Sequence, residues 1–235
     1  VLEQIDLEEF GETFDVDKNA TVLVTTARYI NRSDSSLPTR KIAVYRKNQN
    51  HYEYSQILEP FNMKENFGAT LAVSNDGKKI AVGAPFNSDK VPNGGAVYIY
   101  VQNGSTYSFS QTIRPVDDTP NTRFGAKLDF DGNTLAITSR GGDLATNTTF
   151  DQNSTKFDAG STPFKVIDND SGLVSVYETI NDTLIYGQDF AYDQDTQEFG
   201  SIITVKGNHI YLGLPKQPVT INNKQDRGMI AEYRK

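Results

Sequence analysis

A Phe-Gly pair recurs along the chain at regular intervals, and this feature constrains the fold more than any other. The pair occurs at residues 10–11, 67–68, 124–125 and 199–200, so the intervals are 57, 57 and 75 residues. A repeat of this length is the signature of an architecture in which neighbouring units stack and bury a shared core. The chain is therefore predicted to fold as a series of similar units.

Each unit contains short runs of alternating residues that are separated by turn-forming residues. The second unit is the clearest, where FGATLAVSNDGKKIAVGAP precedes a polar loop and then GGAVYIYVQNGSTYSFSQ. Asp76-Gly77 and Asn103-Gly104 lie where a tight hairpin needs residues that tolerate a positive φ. Four hairpin-linked strands in about 57 residues describe one blade of a β-propeller. The predicted fold class is all-β, with four-stranded antiparallel blades and about four blades in this chain.

The blade boundaries are predicted from the Phe-Gly pairs, within a single propeller region that covers residues 1–235. Gln4 holds the place that Gln56, Gln111 and Gln188 hold in the fourth strands of the other units. Residues 1–9 are therefore predicted to supply the fourth strand of a preceding or closing blade. The remaining units are the blades 10–66, 67–123 and 124–198, the third with an insertion at 141–171, and an incomplete blade at 199–235.

The second unit resembles the FG-GAP repeat, which is the blade unit of integrin-α-like β-propellers. Phe67-Gly68 and Gly83-Ala84-Pro85 reproduce both halves of that motif, and Phe199-Gly200 with Gly213-Leu214-Pro215 reproduces them in part. The resemblance implies a mostly non-catalytic propeller of the kind found in adhesion receptors, bacterial surface proteins and phage virion proteins. It also implies a ring of about seven blades. We therefore favour a segment of a larger ring over a four-bladed ring closed by pairing its own ends.

Composition and missing motifs argue against several classes of site. The chain has no cysteine and only two histidines, so disulfides, thiolate metal sites and histidine clusters are excluded. His51 and His209 are both predicted to be exposed turn residues. The net charge of −7 argues against a nucleic-acid groove, and no apolar run reaches the roughly 18 residues of a membrane helix. The prediction is a protein that is not an enzyme, without cofactor, nucleic-acid partner or membrane insertion.

Calcium is the metal for which the sequence offers ligands. Asp15, Asp17 and Asn19 have the alternating spacing of a calcium loop, but they follow Phe10 too closely for the integrin-like repeat. Solvated turn acids are the favoured interpretation, so no metal site is predicted and calcium stays a weak alternative. A second acidic cluster of the same kind consists of Asp193, Asp195 and Glu198.

Loops between the second and third strands are the predicted recognition surface, because an identical strand order places all four at one end. In the second blade this loop has nine residues between Pro85 and Gly95, and in the other blades it covers residues 28–39, 141–171 and 216–227. Long loops without their own structure are usually functional or disordered. The insertion at 141–171 is therefore the main candidate, and a solvated insertion without a partner is the alternative.

Aromatic and cationic residues on these loops are the predicted contacts, since Tyr and Arg are enriched at interface hot spots. Three phenylalanines of the insertion recur at seven-residue spacing, but Gly and Pro interrupt any helix, so the rings are predicted to pack on the disc or on a partner. The predicted binding residues are Arg28, Tyr29, Phe150, Phe157, Phe164, Lys216 and Arg227.

The predicted function is a structural and recognition module of a phage virion, tail-associated, or of a microbial surface protein. Its partners are other subunits of a large assembly or a host-surface protein or glycan, so its predicted location is the virion, the cell surface or the extracellular space. An integrin-like eukaryotic adhesion domain is the alternative, because glycosylation sequons are frequent. The absence of cysteine favours the microbial or viral origin. The sequons begin at Asn19, Asn31, Asn103, Asn147, Asn153, Asn169 and Asn181.

Overall fold

The computed structural model describes residues 10–29, 39–60, 66–115, 119–141, 172–190, 200–221 and 224–234. In these ranges every regular element is a β-strand, and consecutive strands of the same sheet pair antiparallel. Within the same ranges, no helix has the length and apolar character needed to cross a membrane.

The strands form four sheets, and within each sheet they are hydrogen-bonded in chain order. The first sheet contains β1 (Phe14–Val16), β2 (Val22–Tyr29), β3 (Thr39–Asn48) and β4 (His51–Leu58). The second contains β5 (Thr70–Val73), β6 (Lys79–Ala84), β7 (Ala96–Asn103) and β8 (Thr106–Ile113). The third contains β9 (Lys127–Asp131), β10 (Thr134–Ser139), β11 (Leu173–Ile180) and β12 (Thr183–Phe190). The fourth contains β13 (Ile202–Lys206), β14 (His209–Ile221) and β15 (Lys224–Arg234).

These sheets are the blades of a β-propeller, and the predicted all-β fold class is confirmed. Successive blades contact each other mainly through their first strands, so β1, β5, β9 and β13 lie innermost. The β1–β2 and β3–β4 turns and their equivalents lie at one end of the blades, which we call the hairpin end. The β2–β3, β6–β7 and β10–β11 connections lie at the opposite end, which we call the loop end.

The hydrophobic core consists of three apolar clusters, one between each pair of neighbouring blades. Phe67 and Phe124, the aromatic members of two Phe-Gly pairs, are fully enclosed in the first and second clusters. Burying a side chain of this size contributes about 2–3 kcal/mol relative to leaving it exposed. The core is therefore spread over the interfaces between blades, and Phe67 and Phe124 each mark the start of one interface.

The glycines of the two motif halves meet at the interface between the second and third blades. Gly125 has φ +88°, and a methyl group added to it would lie 3.0 Å from Val97 Cγ2. A methyl group on Gly83 would lie 2.2 Å from Thr70 Oγ1 and 2.4 Å from the Gly125 carbonyl oxygen. The Phe-Gly half of one blade therefore packs on the Gly-Ala-Pro half of the preceding blade, which explains why both need glycine.

The prediction of a loop between the second and third strands of the fourth blade is wrong. Residues 216–227 were expected to be a loop, but they continue β14 and β15 as a long hairpin in which Ile221 pairs with Lys224. The physical reason lies in Val219, Thr220 and Ile221, which favour strand structure. They are followed in the sequence by two asparagines, a residue type that tolerates the left-handed backbone of a tight turn.

Candidate functional site

The described part of the loop end is best defined in the second blade, where residues 85–95 connect β6 to β7. Asn87 is buried there, and its side-chain amide donates to Tyr98 Oη and to Asp89 Oδ2, both at 3.1 Å. Its backbone also takes part, because the amide of Gly95 donates to the Asn87 carbonyl at 3.0 Å. The connection is therefore held from inside by one buried polar side chain whose hydrogen bonds are satisfied.

Arg114, from the segment that leads from the second blade to the third, completes this network. Its guanidinium donates to Asn87 Oδ1 at 2.6 Å and pairs with Asp89 at 2.9 Å. Arg123, further along the same segment, lies over the ring of Phe86 with 5.5 Å to the centroid. Two cations thus fix the 85–95 loop of the second blade to the segment that follows β8.

A cationic group also lies at the loop end of the first blade. Glu12 is bonded by the guanidinium groups of both Arg28 and Arg40, with 3.4 Å to Arg28. The amide oxygen of Asn66 accepts a further hydrogen bond from Arg40. Arg28 was predicted as a binding residue on a loop, but it lies within β2 and is partly engaged by Glu12. It remains one-third exposed, so its guanidinium can still contact a partner.

A pocket of about 320 Å³ opens at the loop end between the innermost strands of the first three blades. Phe14, Leu71 and Leu128 supply apolar walls, while Glu12 and Lys127 supply the charged groups. Among the described residues, the side-chain ammonium of Lys127 has no hydrogen-bond or ion-pair partner. The arrangement can hold an acidic group of a ligand beside an apolar one.

Lys127 departs from the repeat. Thr13 and Thr70 hold the equivalent place in the first two blades, and each donates its hydroxyl to the carbonyl of the next Phe-Gly glycine, Gly68 or Gly125, at 2.9 Å. Lysine at this place puts a cation at the rim of the pocket instead. Sequence reasoning missed Lys127, although an alignment of the four units on their Phe-Gly pairs makes the exchange visible.

The other predicted binding residues fall into two groups. Tyr29 lies on β2, Lys216 on β14 and Arg227 on β15, so none of the three lies on a loop. In β14 and β15 this follows from the strand-favouring residues at 219–221. The aromatic residues of the insertion lie outside the described residues, and so does the second acidic cluster. Those residues are Phe150, Phe157, Phe164, Asp193, Asp195 and Glu198.

The acidic spacing at Asp15, Asp17 and Asn19 has a structural use. Asp17 is buried, and its Oδ1 accepts hydrogen bonds from the amides of Thr21 and Val22, both at 2.6 Å. Asp15 points to the next blade, where its Oδ2 accepts from the amide of Val73 at 2.7 Å. The two carboxylates thus serve a turn and a blade interface, and in the described ranges no group of three metal-ligating side chains is found.

Inner-strand carboxylates recur as partners for the exposed backbone of the next blade. Asp129 Oδ2 accepts from the amide of Val205 at 2.6 Å, as Asp15 does from Val73. Asp131 Oδ2 accepts from the amide of Gly207 at 2.7 Å. The first strand of each blade is a sheet edge, so these side chains satisfy backbone groups that would otherwise have no strand beside them.

These carboxylates differ in the direction of their pKa shifts. Burial raises the pKa of Asp15 above its ordinary value, against the hydrogen bond from Val73, and the charges of Asp129 and Asp17 add to the rise. Burial also acts to raise the pKa of Asp131, but the hydrogen bond from Gly207 and other favourable contacts outweigh it, so that this pKa is lowered. The two acids therefore influence stability with opposite signs.

Both histidines lie at hairpin turns, as predicted. His51 begins β4 and its Nε2 lies 3.0 Å from Glu53, while His209 begins β14 and its Nδ1 lies 2.8 Å from Glu232. The two imidazoles belong to different blades and are at least one-third exposed. Each imidazole lies beside a carboxylate of its own blade in an ordinary surface contact.

The repeated glutamines are a structural device whose role the sequence did not reveal. The side-chain amide of Gln56 donates to the carbonyl of Tyr107 at 2.8 Å and accepts from its N–H at 2.7 Å. Gln111 makes the same pair of bonds with Leu184 at 3.1 Å each. Each glutamine therefore joins the outermost strand of one blade to the outermost strand of the next.

The comparisons with known proteins agree with this geometry. A family model matches residues 62–100, which include Gly68 and Gly83, the glycines of the two motif halves of the second blade. The second blade carries an FG-GAP repeat. A repeat of this kind indicates a propeller blade of a binding or recognition module. Among proteins with curated descriptions, none matches this sequence.

Solved structures that this chain matches include two peptidases. An acylaminoacyl peptidase in complex with a chloromethyl ketone matches 86% of this chain at 13% identity, with a TM-score of 0.48, and the tricorn protease matches 94% at 13%, with 0.47. A candidate 6-phosphogluconolactonase of Bacteroides uniformis matches 94% at 11%, with 0.49. The chain covers 28%, 21% and 70% of these three proteins, respectively. At such identities and TM-scores the matches carry no inference about activity.

Proposed function

We propose that this chain is a non-enzymatic recognition module of a phage virion, associated with its tail, or of a microbial surface protein. The contrast between the two ends of the blades carries the proposal. At the hairpin end, β3 and β4, β7 and β8, and β11 and β12 are each joined by two residues. At the loop end, the second-to-third-strand connections of the first three blades cover residues 30–38, 85–95 and 140–172. Variation of length on a constant scaffold is typical of binding surfaces.

The network around Asn87 supports the same end as the binding face. A loop whose base is fixed by Arg114 and Tyr98 loses little conformational freedom when a partner binds, and this lowers the entropic cost of association. The FG-GAP repeat agrees with recognition as the general role. The proposed partners are other subunits of a large assembly or a host-surface protein or glycan.

A photo-crosslinking amino acid in the native assembly tests which end meets the partner. It replaces Lys90, exposed at the loop end, and in a matched variant Ser105, exposed at the hairpin end. Irradiation and mass spectrometry are expected to join Lys90→photo-amino acid to another polypeptide or glycoprotein, and Ser105→photo-amino acid to none. Crosslinks from the hairpin end alone would overturn the assignment.

Deletion of residues 142–170 tests the share of the insertion in binding. Ser139 and Leu173 are paired across β10 and β11, so a short connection can replace the deleted residues without separating the strands. The expected result is a folded protein whose loop-end crosslinks to the partner are strongly reduced. Undiminished crosslinking from Lys90 would remove the insertion from the binding surface.

Glycan analysis separates this proposal from an integrin-like extracellular adhesion domain. Asn19, Asn103 and Asn181 are exposed at the hairpin end and are accessible to modification if the chain passes through a secretory pathway. The intact mass of the natively produced polypeptide is measured before and after removal of N-glycans. No change in mass is expected, and a decrease would favour the adhesion domain.

A further inference from the structure

The sequence contains two Asn-Gly pairs, and the structure places them in opposite environments. Asn103-Gly104 lies at the β7–β8 turn at the hairpin end, and Asn93-Gly94 lies in the 85–95 loop at the loop end of the same blade. In an Asn-Gly pair the amide nitrogen of glycine can reach the side-chain carbonyl carbon of asparagine, because glycine has no side chain to obstruct the approach. The two pairs therefore share one intrinsic reactivity and differ in what surrounds them.

Both reacting groups are free at Asn103-Gly104, where the two residues are exposed. Among the residues that the structure describes, the side-chain amide of Asn103 and the N–H of Gly104 have no hydrogen-bond partner. The turn is held through carbonyl oxygens instead, since that of Gly104 accepts from Gln102 Nε2 at 2.9 Å. A methyl group on Gly104 would meet nothing within 4 Å, so the space beside its backbone is open.

Both reacting groups are engaged at Asn93-Gly94. The side-chain amide of Asn93 donates to Asn121 Oδ1 at 3.0 Å, and the N–H of Gly94 donates to the carbonyl of Val91 at 3.1 Å. The backbone of Asn93 is fixed as well, because its N–H donates to Ser88 Oγ at 2.9 Å. A reaction between the two groups therefore has to break two hydrogen bonds first.

We propose that Asn103 is a site of spontaneous deamidation. Base removes the proton from the Gly104 nitrogen, which attacks the side-chain carbonyl carbon of Asn103 and closes a succinimide ring. The bond from that carbon to the side-chain nitrogen breaks, and the nitrogen takes up a proton and leaves as ammonia. Water then opens the ring, giving aspartate when it cleaves the bond at the side-chain carbonyl and isoaspartate when it cleaves the bond at the main-chain carbonyl. The reaction is independent of the function of the loop end.

The isoaspartate product alters a contact between the first and second blades. The carbonyl of Ser105, in the same turn, accepts from Arg46 Nε of β3 at 3.1 Å, and this guanidinium lies 5.2 Å from the centre of the Tyr107 ring. Isoaspartate adds one methylene to the main chain before Gly104, so the Ser105 carbonyl is displaced from Arg46. The aspartate product leaves the length of the main chain unchanged.

Incubation of the 235-residue protein in mildly alkaline buffer tests the proposal, with the same protein unfolded in urea as reference. Peptide mapping by mass spectrometry separates the asparagine, aspartate and isoaspartate forms of each site. In the folded protein Asn103 is expected to react roughly 10-fold faster than Asn93, the factor imposed by opening two hydrogen bonds. In urea the two sites are expected to react alike. Equal rates in the folded protein, or no reaction of Asn103 there, would overturn the proposal.

Asn121→Gly tests whether the hydrogen bonds cause the difference. Asn121 has φ +63°, which glycine adopts freely, so the substitution removes the partner of the Asn93 amide and keeps the backbone. Deamidation of Asn93 is expected to become roughly 3- to 10-fold faster, and that of Asn103 to stay the same. An unchanged rate at Asn93 would contradict the structural explanation. Circular dichroism confirms that the variant is folded.

Urea unfolding of the separated isoaspartate form tests the effect on the blade contact. Asn103→Asp is the matched control, because it carries the same new charge on an unaltered main chain. The isoaspartate form is expected to unfold at a lower urea concentration than the fresh protein, and Asn103→Asp at nearly the same concentration. Equal midpoints for all three proteins would show that the contact between Arg46 and Ser105 survives the modification.

Discussion

At the residue scale, position 83 requires glycine because neighbouring atoms leave no room for a side chain. Position 104 favours glycine because of its backbone conformation. Gly83 does not have a positive φ, but the places nearest to its missing side chain are taken by Thr70 and by the backbone of Gly125. Gly104 has φ +63° in the β7–β8 turn, and a methyl group there would meet nothing within 4 Å. The two positions separate the steric reason for glycine from the conformational one.

Gly83→Ala is expected to lower the free energy of unfolding by about 3 kcal/mol, because the added methyl group forces two blades apart. Gly104→Ala, the matched control, is expected to cost only about 1 kcal/mol, the penalty for a left-handed residue with a side chain. Urea unfolding followed by circular dichroism measures both. Equal losses of unfolding free energy in the two variants would show that the second and third blades can move apart without lowering stability.

Asp15 and Asp131 predict opposite pH dependences. The pKa of Asp15 is raised on folding, so its charge costs stability above the raised pKa and costs nothing below the unfolded value of about 3.9. The pKa of Asp131 is lowered on folding, so its contribution is fully present above about 3.9 and is lost as the pH falls through the lowered value.

Asp15→Asn is therefore expected to increase the free energy of unfolding at pH 7, and Asp131→Asn to decrease it. At pH values below both folded-state pKa values, the carboxyl groups are protonated and both differences should shrink. Chemical unfolding at pH 7 and at a series of falling acidic pH values measures both differences, with the unchanged protein as reference. The same sign for both variants at pH 7 would contradict the assigned shifts.

At the scale of elements, the outermost strands are joined by side chains rather than by a sheet ladder. Gln111 lies on β8 and reaches the backbone of Leu184 on β12, as Gln56 on β4 reaches Tyr107 on β8. Neighbouring blades diverge away from the centre, so their outer strands are too far apart to pair directly. One amide with a donor and an acceptor spans that distance and satisfies both backbone groups.

Gln111→Ala is expected to destabilise the fold by about 1–3 kcal/mol, because it leaves the N–H and carbonyl of Leu184 without their partner. Gln102→Ala is the matched control, since that amide bonds only within its own turn, to the carbonyl of Gly104. Thermal and urea unfolding compare the two. A loss no larger than that of Gln102→Ala would mean that water replaces the bonds.

The sequence predicts which strands exist better than it predicts the residues at which they begin and end. Phe67-Gly68, the Asn-Gly and Asp-Gly turns and the alternating runs are local signals, and the blades they predict are present. The hairpin at β14 and β15 was missed because the alignment assigned residues 216–227 to a loop, although Val219 to Ile221 favour a strand. The roles of Asp15 and Gln111 were also hidden, since each bonds to a residue that is 58 or 73 positions away.

At the scale of the whole molecule, the candidate site was predicted only in outline. That the loops share one end follows from the strand order, so the sequence was sufficient. The pocket at the innermost strands was not foreseen, because Glu12, Leu71 and Lys127 come from three different blades and converge only in the fold. The contact residues of the insertion stay a prediction.

Shortening the insertion is expected to preserve the stability of the whole molecule or to raise it by up to about 2 kcal/mol. The reason is that closing a shorter connection between Ser139 and Leu173 costs less entropy. The variant that lacks residues 142–170 is compared with the full protein by urea unfolding, monitored by tyrosine fluorescence. A decrease of several kcal/mol would mean that the insertion forms part of the core.

The polarity of the blade interfaces has a consequence for how such a chain can evolve. Each internal blade presents a Phe-Gly pair on one side and, on the other, the second- and third-strand residues on which the next Phe-Gly glycine packs. The outer glutamines Gln56 and Gln111 each bond to the blade that follows. A gene segment that encodes one whole repeat therefore carries one complete half of each of two interfaces. Duplication or loss of such a segment leaves every junction correctly matched and changes only the number of repeats.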